Sequence, residues 1–430
     1  MRGKPVTTCC VLLLSTLLAG QTATPAEGNL RAEVRRLVRQ LDSPQLAVRE
    51  AAEANLLERG PAILAWLPTT GRASAEVQLR LGRVRQKLQQ QAAEASVKTS
   101  TITLHADAMP LAKVLEAFRQ QSGNAILDDR RQFGQLVTNP TLKVHFDNAP
   151  FWSALDQVLD QAGLTHYPFS EQQAIHIVAA SGASPAPRVG RACCTGPFRI
   201  EPIHILARRN LRQADGTLVV TLEVAWEPRL RIIALLQRMA DIAAVDGHGD
   251  RLSVADDEAQ LEVPVGGGAS AVKFDVSLRL PPRETREIAN LKGRLQAVIP
   301  GKIETFRFNR LSGVKNAEQR IAGVTVTLAQ VRKRGKAWEV FLRVRFDDAG
   351  DALASHRTWI FDNPAYLEGP DGKPIAPDGY ETTRQGKNEV GIAYLFAVDR
   401  PLEELSFVYK TPGTIMTGEY SYELKNLKLP

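Results

Sequence analysis

The stretch "ITLHADAMPLAKVLEAFRQQSG", Ile102 to Gly123, recurs at an offset of 40 residues as "VHFDNAPFWSALDQVLDQAG", Val144 to Gly163. Aligning Pro110 with Pro150 puts Leu111 on Phe151, Leu115 on Leu155, Gln121 on Gln161 and Gly123 on Gly163. Each copy reads as a strand, then a proline at the helix start where a missing N–H costs nothing. An apolar stripe and a glycine stop follow. "AILDD" after the first helix and "LTHYPF" and "AIHIV" after the second are further strands. The order β-α-β-β-α-β predicts a small sheet with two helices on one face, over residues 98–180.

Either side of this module the pattern changes. Upstream, Val34, Leu37, Val38 and Leu41 mark one face of a helix, and Val77, Leu81, Val84 and Leu88 mark another. Between them "DSP" caps and starts a second helix, which stops at Gly60 before Pro61. Downstream, "SGASPAPRVGRACCTGP" has linker composition, and β-branched and aromatic alternation then dominates, as in "LVVTLEVAWEP", "AVKFDVSLRLPP" and "AWEVFLRVRF". The run Leu230 to Val245 suits either a helix or a buried strand. Roughly three domains of about 150 residues fit a chain of 430. The expected class is multidomain α+β. It comprises N-terminal α-helical hairpins over 27–95, the β-α-β-β-α-β module over 98–180 and a linker over 181–197. Two antiparallel β-sandwiches follow, over 198–312 and 313–430.

The first 26 residues have the order of a secretory signal. Arg2 and Lys4 precede the apolar "CCVLLLSTLLAG", and "TPA" places cleavage after Ala26, which predicts export to a periplasmic or extracellular location. Cys9 and Cys10 leave with that signal. Cys193 and Cys194 are adjacent, their Cα atoms ~3.8 Å apart and so closer than usual disulfides allow. The net charge of +7 is mild and scattered, and its tightest run, "RKRGK" from Arg332 to Lys336, reads as a hairpin turn. Nucleic acid is therefore not expected as a partner. A membrane surface fits the charge, without an integral span.

Two further patterns carry resemblances. "DAMPLAKVLEAF" and "DNAPFWSALDQVL", followed by "GLTHYPFSEQQAIHIV", resemble the secretin and TonB short N-terminal domain, or STN domain, over about 98–180. The resemblance implies a periplasmic module that contacts partner proteins or neighbouring subunits and brings no catalytic residues. Full receptors and secretins of that kind continue into membrane β-structure, and no series of lipid-facing strands is legible here. "DSPQLAVREAAEANL" resembles a HEAT-type repeat over about 30–90, which at fewer than three repeats implies packing on a neighbour. "EPRL", "VDGHGDRL" and "YLEGPDGKPI" are similar to phrases of uncharacterised secreted bacterial β-sandwich proteins and imply no function.

Signatures of chemistry are sparse. The sequence has no G-x-S-x-G, H-E-x-x-H or P-loop, so no catalytic residue and no cofactor is assigned. "HAD" (His105, Asp107) and "HFD" (His145, Asp147) repeat at the same offset, and on neighbouring strands they would converge on a metal. The plainer reading is polar strand residues with each Asp near a helix start. "DGHGDRLSVADDE" has the acid density of a calcium loop through Asp246 and Asp250. It departs from the EF-hand pattern at His248, Arg251 and Asp257, and a turn is the better reading. Trp226, Trp338 and Trp359 could form a sugar platform, though such tryptophans are usually core. The expectation is an exported, non-catalytic docking or scaffold protein of the cell envelope. Its protein partner would meet sheet edges or a helix face near Gln121, Phe151 and Trp152. The alternative is an envelope carbohydrate-binding protein or hydrolase with its site in the β-sandwiches.

Overall fold

The structure, a computed structural model, describes residues 25–430 apart from 69–73, 169, 171, 183–186, 213–215, 267, 348, 351, 355 and 356. Residues 1–24 of the expected signal, with Cys9 and Cys10, lie outside the described residues. The chain is mixed α+β, with few helices and many strands in several sheets. It divides into two compact units, one up to Leu88 and one from Gln89 onward.

The first unit holds helices α1 (Pro25–Gln40) and α2 (Leu46–Glu58), a 3-10 turn at Pro61–Trp66, and most of α3 (Ala75–Ser96). Its core gathers Val34 and Leu37 from α1, Leu41 just after it, Ala52 and Leu56 from α2, and Val77, Leu81, Val84 and Leu88 from α3. These are the apolar stripes of the sequence, with Val38 at the margin. Across the polar faces Glu53 accepts from Arg80 at 2.7 Å and Arg83 at 2.9 Å, and the arginine beside it holds its carboxyl below the usual range.

The second unit opens with the doubled module. Strand β1 (Thr101–Pro110) leads into α4 (Leu111–Ser122) and β2 (Ile126–Asp128). Strand β3 (Thr141–Pro150) leads into α5 (Phe151–Ala162), β4 (Leu164–Tyr167) and β5 (Ile175–Ala179). The strands form two sheets, where one was expected. β1 and β3 pair antiparallel as a ribbon, and β2, β5 and β4 form a separate three-stranded sheet. Both helices share one core with residues of both sheets, including Ile102, Phe146, Phe118, Leu155, Ile126 and Ile177. α5 alone buries Phe151, Trp152, Ala154, Leu155, Val158 and Leu159, and both sheets supply residues to the core that holds them.

The expected linker over 181–197 needs correction, because it contains β6 (Cys193–Thr195), paired with β7 (Phe198–Arg209). β7, β8 (Gly216–Trp226) and β13 (Ala271–Arg279) complete a four-stranded sheet with β6. Facing it across one core is a six-stranded sheet. It is built from β9 (Ala234–Arg238), β10 (Ala243–Asp246), β11 (Arg251–Leu252), β12 (Gln260–Pro264), β14 (Glu287–Pro300) and β24 (Ile415–Lys428). The ambiguous run Leu230 to Val245 is thus strand, turn and strand. β9 lies between β12 and β14, so both faces and both edges of its Ala234–Leu236 stretch are covered.

A second pair of sheets shares another core. One contains β15 (Ile303–Phe308), β19 (Ala365–Glu368), β20 (Pro374–Ile375) and β23 (Ser406–Pro412). The other contains β16 (Lys315–Ile321), β17 (Val324–Arg334), β18 (Ala337–Phe346), β21 (Gly379–Gln385) and β22 (Glu389–Phe396). The expected boundary at 312/313 does not hold. β15 lies before Gly313 yet pairs with β23, and β24 returns from the chain end to pair with β14 along Glu287–Pro300. A boundary read from turn residues cannot see a strand that pairs backward over more than a hundred residues.

Candidate docking site

The face of the module expected to meet a partner is occupied by the protein itself. Phe151 and Trp152 are 0% and 1% exposed, which corrects their assignment as docking residues. The Trp152 indole N–H donates to the Pro197 carbonyl at 3.0 Å, so the chain entering β7 seals this side of α5. Gln121 stays exposed but serves the backbone. Its carboxamide accepts from Thr103 N at 2.8 Å and donates to Thr103 O at 3.0 Å, which covers the outer edge of β1 at a register shift.

Ionic joints lock the module to the sheets that follow. Asp156, on the buried side of α5, accepts from Arg188 at 2.9 Å and from Arg199 at 2.9 Å. Arg199 also reaches Glu201, which Arg191 meets at 3.2 Å. Asp160 accepts the backbone N–H groups of Arg188 and Val189, tying the entering segment to α5. His166 lies between Arg188, 3.0 Å from Nδ1, and Glu223, 3.1 Å from Nε2. A guanidinium can only donate and a carboxylate only accepts, so the imidazole is neutral with its proton on Nε2. Burial pushes its pKa below the ordinary value, and the nearby arginines add to that. Burial works against the Glu223 carboxylate, but His166, Lys273 and Arg199 outweigh it and hold its pKa low. Asp156, Asp160, Glu201 and Glu223 balance Arg188, Arg191, Arg199 and Lys273. A cavity of about 450 Å³ opens beside this cluster, walled by His166, Arg188, Glu201 and Glu223, whose charges are matched within the protein. A second joint forms at the fully buried Glu227, which accepts from Ser100 N, Ser100 Oγ, Asn124 Nδ2 and Arg229 Nε.

The open side of the module is the three-stranded sheet. β2 is its edge strand, so one row of β2 backbone groups has no strand partner among the described residues. From this edge the chain carries Leu127, Phe133, Leu136 and Val137, which are 38%, 47%, 81% and 48% exposed. The loop bearing them is fixed from beneath. Arg130 is 2% exposed, with its guanidinium on the Asp128 carboxylate at 2.8 and 2.6 Å and on Thr138 O at 2.9 Å. The bond from Arg130 holds the Asp128 carboxyl well below its usual range. Asp129 meets His176 Nδ1 at 2.5 Å, and Gln135 Oε1 accepts from Ala179 N at 2.8 Å. Phe133 packs edge-on against Tyr167 with ring centroids 5.1 Å apart. Sequence reasoning missed this loop. The signal available was "LDDRRQFGQLV", apolar residues interleaved with polar ones outside any helix or strand period.

The β1–β3 metal candidates come together only in part. His105 and His145 are cross-strand partners, and His105 Nε2 lies 2.9 Å from Asp147, but Asp107 pairs with Lys143 at 3.1 Å. Asp246 closes a β-hairpin: its carboxylate accepts from His248 N and Asp250 N, both at 2.9 Å, and Asp250 stands exposed beside it. Among the described residues no group of three or more His, Cys, Asp or Glu side chains is placed to hold a metal ion. Trp226 is fully buried, and the Trp359 indole donates to Ala352 O. In the "RKRGK" turn Arg332 and Arg334 both pair with Glu339. No helix among the described residues is long and apolar enough to cross a membrane. Comparisons of the chain with protein families, with curated proteins and with solved structures find no match.

Proposed function

We propose that the protein is an exported, non-catalytic docking component of a cell envelope. In this reading a HEAT-like helical segment and two β-sandwiches carry an STN-like module over 98–180, and that module binds a protein partner. The supporting observation is Leu127 on β2 with Phe133, Leu136 and Val137 on the loop after it, all held out to solvent where a buried arginine pins the loop in place. Keeping large apolar side chains exposed on rigid backbone brings no folding gain, and such surface marks interaction sites. On the outer edge of β2 Arg119 takes the Ile126 carbonyl at 2.9 Å, and the remaining backbone groups of that short edge add donors and acceptors to which a partner strand can pair. The partner surface expected is therefore an extended, apolar-bearing segment.

The test is a photo-crosslinking residue at position 136 or 137 in the full chain in cells, with position 320 as a distant exposed control. The reading predicts one defined protein adduct from 136 and 137, and its loss when Leu127 and Phe133 are both changed to Ser. Adducts that appear equally at 320, or none at 136 and 137, would overturn it.

A further inference from the structure

Beyond that partner site, the β7–β8 hairpin carries a surface of different chemistry. Leu218 is the last β8 residue toward the turn to reach the core, and every residue of the described chain from Leu206 to Arg212 is exposed. Leu211, in the turn, is 90% exposed and Leu206 is 52% exposed. Around them stand Arg208, Arg209 and Arg212. Direct cross-strand partners share a face, and the register Arg208↔Thr217↔Arg279 adds Arg279 to the Leu206 face. Among the described residues none of these four arginines pairs with a carboxylate. The contrast with Arg332 and Arg334, both matched to Glu339 in the other basic hairpin, is direct. Opposing acids are few. Asp215 lies outside the described residues, Asp275 on the same face accepts the Thr221 hydroxyl, and Glu284 is offset by its neighbour Arg283.

We propose that this hairpin rests on an anionic lipid bilayer. Its guanidiniums meet headgroup phosphates, and Leu211 enters the boundary between headgroups and acyl chains. Arginine forks match phosphate oxygens, and unneutralised basic residues gather at an anionic membrane surface. An exposed apolar side chain in the turn of a hairpin that carries unpaired arginines distinguishes a lipid surface from a soluble polyanion, which has no apolar layer to receive it. The placement is peripheral and needs no spanning helix.

The experiment is flotation of the full chain with vesicles of phosphatidylcholine alone or with phosphatidylglycerol, and with heparin as a soluble polyanion. Binding is expected on phosphatidylglycerol vesicles only. It should fall by about fivefold for each charge removed, hence about a hundredfold in the Arg208→Gln, Arg209→Gln, Arg212→Gln variant. Leu211→Ser should weaken vesicle binding severalfold and leave heparin binding unchanged. Should the triple variant misfold, Arg212→Glu in the turn carries the same test. Equal binding to both vesicle types, or full binding by the charge variant, overturns the proposal. Heparin binding with no effect of Leu211→Ser on vesicles assigns the surface to a polyanion instead. Leu136→Ser should not alter vesicle binding, which separates this surface from the partner site.

Discussion

His105 and His145 face each other across the antiparallel pair of β1 and β3, their rings edge to face with centroids 4.6 Å apart. They are also the same position in the two copies of the doubled sequence. The strand pair and the two helix ends are symmetric about them. Thr101 pairs with Pro150, and Pro110 with Thr141. Leu111 N donates to Pro140 O and Phe151 N to Ser100 O, each 2.9 Å, so each copy caps the other's helix. Gly123 and Gly163 end the two helices at φ of 70° and 67°. The unit is written twice because one copy completes the other.

The symmetry breaks at α5, which the following sheets cover. Trp152→Ala is expected to cost about 3–5 kcal/mol, since it empties a sealed site and removes the bond to Pro197. Leu136→Ser should stay within about 0.5 kcal/mol. Urea midpoints of the two variants decide between an enclosed Trp152 and a surface one.

Asp156 is the carboxylate that Arg188 and Arg199 share, and all three are buried. Asp156→Asn keeps the shape, leaves buried Arg188 without its carboxylate and leaves Arg199 with Glu201 alone, for an expected loss of about 3–5 kcal/mol. Arg320→Ala, which breaks the exposed pair with Asp347, should cost about 0–1 kcal/mol. Similar losses in both would show that the joint does not form.

His166 gives the fold a pH limit. Its folded pKa lies below the ordinary 6.5, so the unfolded chain binds a proton that the folded chain refuses. Stability therefore falls as pH drops through 6.5 toward the folded value. Asp128 and Glu53, also lowered, act further down: they stabilise above their ordinary 3.8 and 4.5, and that stability is lost as pH falls through their lower folded values. His166→Gln should remove the fall in urea midpoint that begins as pH drops below the ordinary 6.5 and leave the acid limb in place. An unchanged profile would place the first limb elsewhere.

Cys193 and Cys194 follow one another in β6, so their side chains take opposite faces. Cys193 packs on the core of the facing sheets and Cys194 on that of the doubled module. Burial, then the nearby Asp156 charge, pushes the Cys194 thiol up to about 11. Iodoacetamide at about pH 8 should label Cys194 slowly in native protein and readily in urea. Fast native labelling would contradict that burial.

By itself the sequence determined local structure: the helical stripes of the first unit, the strand-proline-helix-glycine grammar of the doubled module, and the turn at Asp246. Each follows from side-chain period, a fixed proline φ or a glycine's access to positive φ, within a few residues. The tertiary structure alone decided the rest. Whether Trp152 faces solvent depends on Pro197, and the partner of β14 is a strand that begins at Ile415. The module's open surface lies on the loop after β2 because the other side is spent on Asp156, Arg188 and Arg199. Burial is a property of what arrives from elsewhere in the chain, and no local period encodes it.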